Sequence, residues 1–177
     1  RFSNLRGVLN SGLNEICYRL NLKRIPKLVS IAIEPTNTCN LSCQMCPVNR
    51  GMKRPKGMMD FGLFKRLIDE NPDLELVLLF HWGEPLLYPK IFEMIEYVGS
   101  KGIKPVLTTN SAKFTPEIID KLVHSKLDRI TISMDGIGKT YEKIRGFSFD
   151  KVEKNVMDLV NARNNAKSHL KIDLTMV

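Results

Sequence analysis

Residues 129–135 read Arg-Ile-Thr-Ile-Ser-Met-Asp and alternate without a break, with Ile130, Ile132 and Met134 on one side and Thr131, Ser133 and Asp135 on the other. A period of two makes this a strand whose faces meet different surroundings. Residues 170–176 repeat the pattern, with Lys171, Asp173 and Thr175 opposite Leu170, Ile172, Leu174 and Met176. Three more short apolar runs bring the expected strands to five, at 30–34, 75–81, 104–109, 129–134 and 170–176. Helical patterns at 60–70, 89–99, 115–125 and 150–162 separate them, which is the signature of successive βαβ units and a mainly parallel sheet. In a doubly wound open sheet both faces of a strand are covered and should be apolar. A polar face instead fits a partial (β/α) barrel, with helices outside and a polar, functional lumen inside. The expected fold class is therefore α/β, a partial barrel cut off after its fifth strand.

Helix boundaries carry their own signals. Thr115 followed by Pro116 places an N-cap with proline at the first helical position, and Asp150 with Glu153 resembles a capping box. Upstream, Leu5, Val8, Leu9, Leu13, Ile16 and Leu20 recur at helical spacing, so residues 1–28 are expected to form an amphipathic helix and a lead-in, broken at Pro26. Cys17 lies on that stripe and reads as a small buried hydrophobe. Residues 29–177 then form a single core domain, with no repeat beyond the βα unit and no low-complexity linker. The chain opens on Arg1 and stops at Val177 inside the fifth strand, which reads as a boundary within a longer protein.

With 177 residues, 43% of them hydrophobic and 26% charged, the chain has the composition of one folded domain that needs no disulfides to bury a core. The longest uninterrupted apolar run, Leu76 to Phe80, is far short of the roughly 18 residues of a membrane span, and the first ten residues lack a signal-peptide core. The expectation is a cytoplasmic protein without a membrane partner. Lys and Arg outnumber Asp and Glu by 27 to 19, a net charge of +8. The densest basic cluster, Arg50, Lys53, Arg54 and Lys56, comes with no nucleic-acid motif and reads as a solvated loop, so a nucleic-acid partner is disfavoured.

The cysteines say more. Three of the four, Cys39, Cys43 and Cys46, fall within eight residues, in Thr36-Asn-Thr-Cys-Asn-Leu-Ser-Cys-Gln-Met-Cys-Pro-Val48. That segment follows the first strand, so it lies at the strand's C-terminal end, where βα folds bind their ligands. Thiolates are soft ligands for iron or zinc, and three in one loop can wrap a cluster or a single ion. A 4Fe-4S cluster normally has four protein ligands, so three cysteines leave one iron open to another molecule. The alternative is a structural zinc site completed by Cys17 or a histidine, making the protein a zinc-stabilised βα binding module without redox chemistry.

The spacing of the three cysteines, three residues and then two, resembles the signature of the radical S-adenosylmethionine (radical SAM) superfamily. Other segments match in order. His81-Trp-Gly-Glu-Pro-Leu-Leu-Tyr-Pro89 resembles the family's Gly-Gly-Glu-Pro motif, the third strand ends in Thr108-Thr-Asn110 and the fourth in Ile132-Ser-Met-Asp-Gly136. The resemblance covers most of the chain and looks closest to the branch with a C-terminal cluster domain of the SPASM or twitch type, such as peptide- and sulfatase-maturing enzymes. It implies a 4Fe-4S cluster on Cys39, Cys43 and Cys46, with the amino and carboxylate groups of S-adenosylmethionine on the fourth iron. An electron donor supplies one electron, which passes to the sulfonium. Homolysis then gives methionine and a 5′-deoxyadenosyl radical that abstracts hydrogen from a substrate. The implied substrate is a peptide or protein, with a small metabolite as the alternative.

The resemblance also implies contacts to S-adenosylmethionine from Met45, Gly83, Glu84, Thr109, Asn110, Ser133 and Asp135. Glu84 is assigned to the amino group. It ends a buried strand, where a bare carboxylate needs a partner, and an N-cap or ion pair is the competing explanation. Ser133 and Asp135 fall near the ribose and methionine ends, against turn chemistry before Gly136. Thr109 and Asn110 reach the lumen, unless Asn110 merely tolerates a left-handed turn. Trp82 stands where the family's first glycine stands, and Met45 where an aromatic is frequent. His81 and Trp82 read equally as lumen fillers, and Arg145 reads as a surface ion pair more readily than as a partner of the methionine carboxylate. His124 and His169 read as solvated. No residue is singled out as a catalytic group.

Overall fold

The alternation at 129–135 becomes a difference in burial. In the computed structural model, which describes residues 5–22 and 27–176, Ile130 and Ile132 are fully buried while Thr131 and Ser133 stay half-buried on the opposite face. The chain runs α1 (Leu5–Arg19), β1 (Ser30–Ala32), α2 (Phe61–Asp69), β2 (Leu76–Leu78), α3 (Ile91–Ser100), β3 (Lys104–Thr109), α4 (Pro116–His124), β4 (Arg129–Ser133), α5 (Lys139–Arg145), α6 (Phe149–Asn165) and β5 (Lys171–Thr175). The strands lie side by side in the order β1-β2-β3-β4-β5, and every neighbouring pair is parallel. A doubly wound sheet reverses its order part-way, whereas this one winds in one direction, as a barrel does. The sheet does not close, leaving β1 and β5 as its edges.

One face of the sheet carries the main core. Val77, Leu79, Leu107, Ile130, Ile132 and Leu170 pack with Phe64 and Ile68 of α2, Met94, Ile95 and Val98 of α3, Ile119 and Leu122 of α4, and Leu159 of α6. Burying each such side chain is worth roughly 1.5–3 kcal/mol, and a register slip of one residue would turn the whole set to the other face. Along β5 this cover runs out. Leu170 is buried, but Leu174 is 52% exposed and Met176 is exposed as well.

Several expectations need correction. β1 and β2 are shorter than the apolar runs, because beyond Ala32 and Leu78 the ladder continues only as single bonds, Ile33 N to Leu78 O and Leu79 N to Val106 O, both 2.8 Å. The Thr115 cap is present, accepting from Ile118 N, but α6 is capped by Ser148, which accepts from Lys151 N, and not by Asp150. α5 went unforeseen: seven residues between Gly138 and a left-handed Gly146 are too few to show a period. In α1 the stripe residues Val8, Leu9, Leu13, Ile16 and Leu20 are exposed and Asn10 is buried, while Cys17 on the same stripe is buried as expected. Asn14 Nδ2 donates to Lys27 O at 2.7 Å, tying the helix to the lead-in by its polar side. The break at Pro26 lies outside the described residues. Arg54, read as solvated, donates to both carboxylate oxygens of Glu34 at 2.6 and 2.7 Å.

Candidate active site

Parallel strands deliver their C-terminal ends to one side of the sheet, and all ten residues marked in the sequence meet there. Cys39, Cys43, Met45, Cys46, Gly83, Glu84, Thr109, Asn110, Ser133 and Asp135 line a cavity of about 290 Å³, together with Phe80, His81, Trp82, Thr108 and Arg145. The cysteine loop is anchored by two residues the sequence reading passed over. Thr36 Oγ1 donates to Gly57 O at 2.8 Å, while Asn37 donates to Pro55 O at 2.8 Å and accepts from Gly57 N at 2.7 Å. Their signal was two polar residues ahead of Cys39, where a strand gives way to a loop. Thr38 O in turn accepts from Glu84 N at 2.8 Å. That approach requires Gly83, whose φ is +93°: a Cβ there would overlap Thr36 O and come within 2.9 Å of Asn37 Cα and Thr38 O.

All four cysteines are free thiols. Cys39 Sγ accepts from Leu41 N at 3.5 Å and from Asn110 Nδ2 at 3.7 Å, and Cys43 Sγ accepts from Arg145 Nη1 at 3.7 Å. Burial pushes the Cys39 thiol up, against the Leu41 N–H. Cys17 is not part of the cavity lining.

Glu84 is 1% exposed and caps the short turn Pro85–Leu87. Its Oε1 accepts from Leu86 N at 3.1 Å and Thr109 Oγ1 at 2.7 Å, and its Oε2 accepts from Asn110 N at 2.8 Å. Burial raises its pKa, while these bonds and the Arg145 charge oppose the rise. A carboxylate has roughly four acceptor positions, so about one is left. Asn110 does not adopt the left-handed turn; Ser111 does, at φ +56°, and Asn110 instead donates to Asn40 Oδ1 at 3.0 Å.

Arg145 is the main departure. It is not a surface pair: its side chain is 14% exposed, and Nη2 lies 2.6 Å from Oδ2 of an Asp135 that is itself buried. Its Nε is buried without a hydrogen-bond partner. His81 and Trp82 form an exposed rim rather than filling the lumen, edge to face at 5.4 Å, and Trp82 N donates to Glu34 Oε2 at 3.0 Å. Met45 is exposed beside them, and His124 and His169 are solvated.

The donor set indicates what this cavity suits. Among the described residues no three of His, Cys, Asp or Glu are placed to hold one metal ion. Zinc draws its thiolates to about 2.3 Å from a single centre, whereas a cubane cluster spreads them over separate irons. Three free thiols on one cavity wall fit the cluster.

The sequence profile of the Radical SAM superfamily matches residues 33–173. The chain belongs to that superfamily. Its enzymes use a 4Fe-4S cluster and S-adenosylmethionine, the cofactors of this radical SAM domain. The AdoMet-dependent heme synthase of Methanosarcina barkeri is 36% identical over 118 residues, which are 66% of this chain and 34% of the synthase. Mycofactocin maturase MftC of Mycobacterium tuberculosis is 30% identical over 140 residues, 76% of this chain and 35% of the maturase. Among solved structures, Streptococcus suis SuiB bound to S-adenosylmethionine is similar with a TM-score of 0.66 at 18% identity, over 92% of this chain and 37% of SuiB. SuiB bound to its precursor peptide SuiA is similar to the same degree, a TM-score of 0.66. At that identity SuiB speaks for the radical SAM fold, and the chain spans about a third of each of these relatives.

Proposed function

We propose that this radical SAM domain holds a 4Fe-4S cluster on Cys39, Cys43 and Cys46, binds S-adenosylmethionine in the adjoining cavity and uses the pair to abstract hydrogen from a substrate. The observation that carries the reading is the meeting of three free thiols with Glu84, Ser133 and Arg145 on one cavity at the C-terminal ends of the strands. Bound there, the cofactors supply one-electron reductive cleavage of the sulfonium, with an external electron donor, and a 5′-deoxyadenosyl radical. The protein's own work is positioning. The remaining acceptor position of Glu84 suits an ammonium, and the unpartnered Nε–H of Arg145 suits a carboxylate, so the two ends of an amino acid moiety would find opposite partners. Met45 and Trp82 offer apolar surface at the rim for an adenine, and the Ser133 hydroxyl lies on the polar face of β4 for the ribose or methionine end. The Asp135 carboxylate is engaged by Arg145, so its contribution is to hold that guanidinium.

A peptide or protein substrate is the first reading, supported by the names of MftC, a maturase, and of SuiB with its precursor peptide. A heme precursor is the second, supported by the heme synthase at 36% identity. Residues 1–28 serve as a lead-in to a core at 29–177. A cytoplasmic, reducing compartment belongs to the same reading, since the thiols must stay reduced before a cluster assembles. Among the described residues no helix is long and apolar enough to cross a membrane.

Anaerobic reconstitution with iron and sulfide tests the function. The expected product is an oxygen-sensitive 4Fe-4S protein whose reduced electron paramagnetic resonance spectrum changes on adding S-adenosylmethionine. Alanine at Cys39, Cys43 or Cys46 abolishes the cluster, and Cys17→Ala does not. A colourless protein binding one zinc through four ligands overturns the reading. Stimulation of 5′-deoxyadenosine release by peptides or by heme precursors then separates the two substrates.

A further inference from the structure

We propose that the buried Asp135–Arg145 pair raises the reduction potential of the cluster by fixing a positive charge against the sulfur of Cys43. This rests on the reading of Cys39, Cys43 and Cys46 as cluster ligands. The guanidinium is held as a fork: Nη2 is 2.6 Å from Asp135 Oδ2 and Nη1 is 3.7 Å from Cys43 Sγ. Both side chains are withdrawn from water, Arg145 at 14% and Asp135 at 1% exposure. Dehydrating two ions is costly, and an apolar pair of similar size is often as stable or more so, so stability is a poor explanation for charge at this place. Its orientation supplies a better one. Asp135 grips one nitrogen and thereby turns the other toward the thiolate, where a free arginine would spread over many rotamers.

Among the described residues the three N–H contacts to the cysteine sulfurs differ in kind. Leu41 N and Asn110 Nδ2, on Cys39, are neutral donors, whereas Arg145, on Cys43, brings a full charge. Reduction adds one electron to a cluster already ringed by thiolates. A cation and an N–H donor at a ligand sulfur stabilise that added charge, and away from water the effect is stronger than on a screened surface. Asp135 is on this account a positioning residue, acting through Arg145.

The test is a redox titration of the loaded cluster without S-adenosylmethionine, so that any contact of Arg145 with that molecule does not contribute. Wild type, Arg145→Gln, the double variant Asp135→Asn/Arg145→Gln and Arg129→Gln are compared by the paramagnetic signal of the reduced cluster. Arg129→Gln removes the same unit charge at the other end of β4, where Arg129 pairs with Asp173 beside a separate cavity of about 320 Å³. The double variant keeps the local net charge and replaces the ion pair with two amides, so it remains informative if the single variant, with the Asp135 charge no longer faced by the guanidinium, folds poorly. The expected result is a more negative midpoint potential in both Arg145 variants and no shift in Arg129→Gln. Wild-type potential in the loaded Arg145 variants, or an equal shift in Arg129→Gln, overturns the proposal. A wild-type chain that takes up no iron and sulfide overturns the ligand reading instead, and iron and sulfide analysis tells the two failures apart.

Discussion

The Glu84 carboxylate ties together Leu86, Thr109 and Asn110 while facing the cavity, so its removal has a structural and a binding consequence. Glu84→Ala is expected to leave the cluster content intact and to weaken S-adenosylmethionine binding by roughly 1.5–3 kcal/mol, the scale of a hydrogen bond to a charged group. Calorimetry on the loaded protein reads this. Glu84→Gln keeps one acceptor oxygen, enough for Leu86 N or Asn110 N but not both, and lacks the charge, so it should recover part of the stability without recovering affinity; equal affinity in all three makes Glu84 structural. Tyr141 presents the opposite case, a fully buried side chain whose hydroxyl has no hydrogen-bond partner. Tyr141→Phe is therefore expected to raise stability by about 1 kcal/mol. Burial also pushes the Tyr141 pKa up to about 12. Between its ordinary value near 10 and that value the folded chain holds a proton the unfolded chain has lost, so stability falls as pH rises through this window. Urea melts at the two ends of the window should show a smaller loss for Tyr141→Phe than for wild type; parallel losses would place Tyr141 in water.

At the scale of elements, the site depends on two loops meeting rather than on a strand. The segment 36–38 lies against the turn after β2 through Gly83, and the Glu84 N to Thr38 O bond closes the contact. Gly83→Ala is expected to force the two apart, costing about 1–3 kcal/mol for the left-handed backbone alone and more for the overlap with Thr36 O. Thermal melting and cluster content should both fall, and normal loading in Gly83→Ala would show that the loops can part without harm. α5 has a similar role. Its helical core is only seven residues, yet it alone carries Arg145 to the cysteine wall. None of its signals, two bounding glycines and a basic last turn, is periodic, which is why hydrophobic spacing failed to reveal it.

For the whole molecule, the open sheet matters most. Among the described residues β5 pairs with β4 alone, with Leu174 and Met176 exposed beside it, and such an edge is a template for a second copy. The 177-residue chain is expected to self-associate through β5, and Leu174→Lys to reduce that association several-fold. Sedimentation velocity decides, and identical profiles for the two chains remove the edge from consideration.

The sequence by itself determined the parallel α/β frame and its five strands, and its resemblance to the radical SAM signatures picked out the ten residues that line the cavity. Strand periodicity and the cysteine spacing are local patterns, and parallel strands necessarily bring their C-terminal ends to one side. Legibility ended where a residue's meaning depends on a partner far along the chain. Arg145 looked like a surface charge because nothing within α5 announces Asp135 or Cys43, ten and 102 residues away. The stripe of α1 looked like core, yet the helix turned it outward. Only the tertiary structure decided these, because burial and charge pairing are settled by the neighbours that folding supplies, while period and spacing are properties of the chain alone.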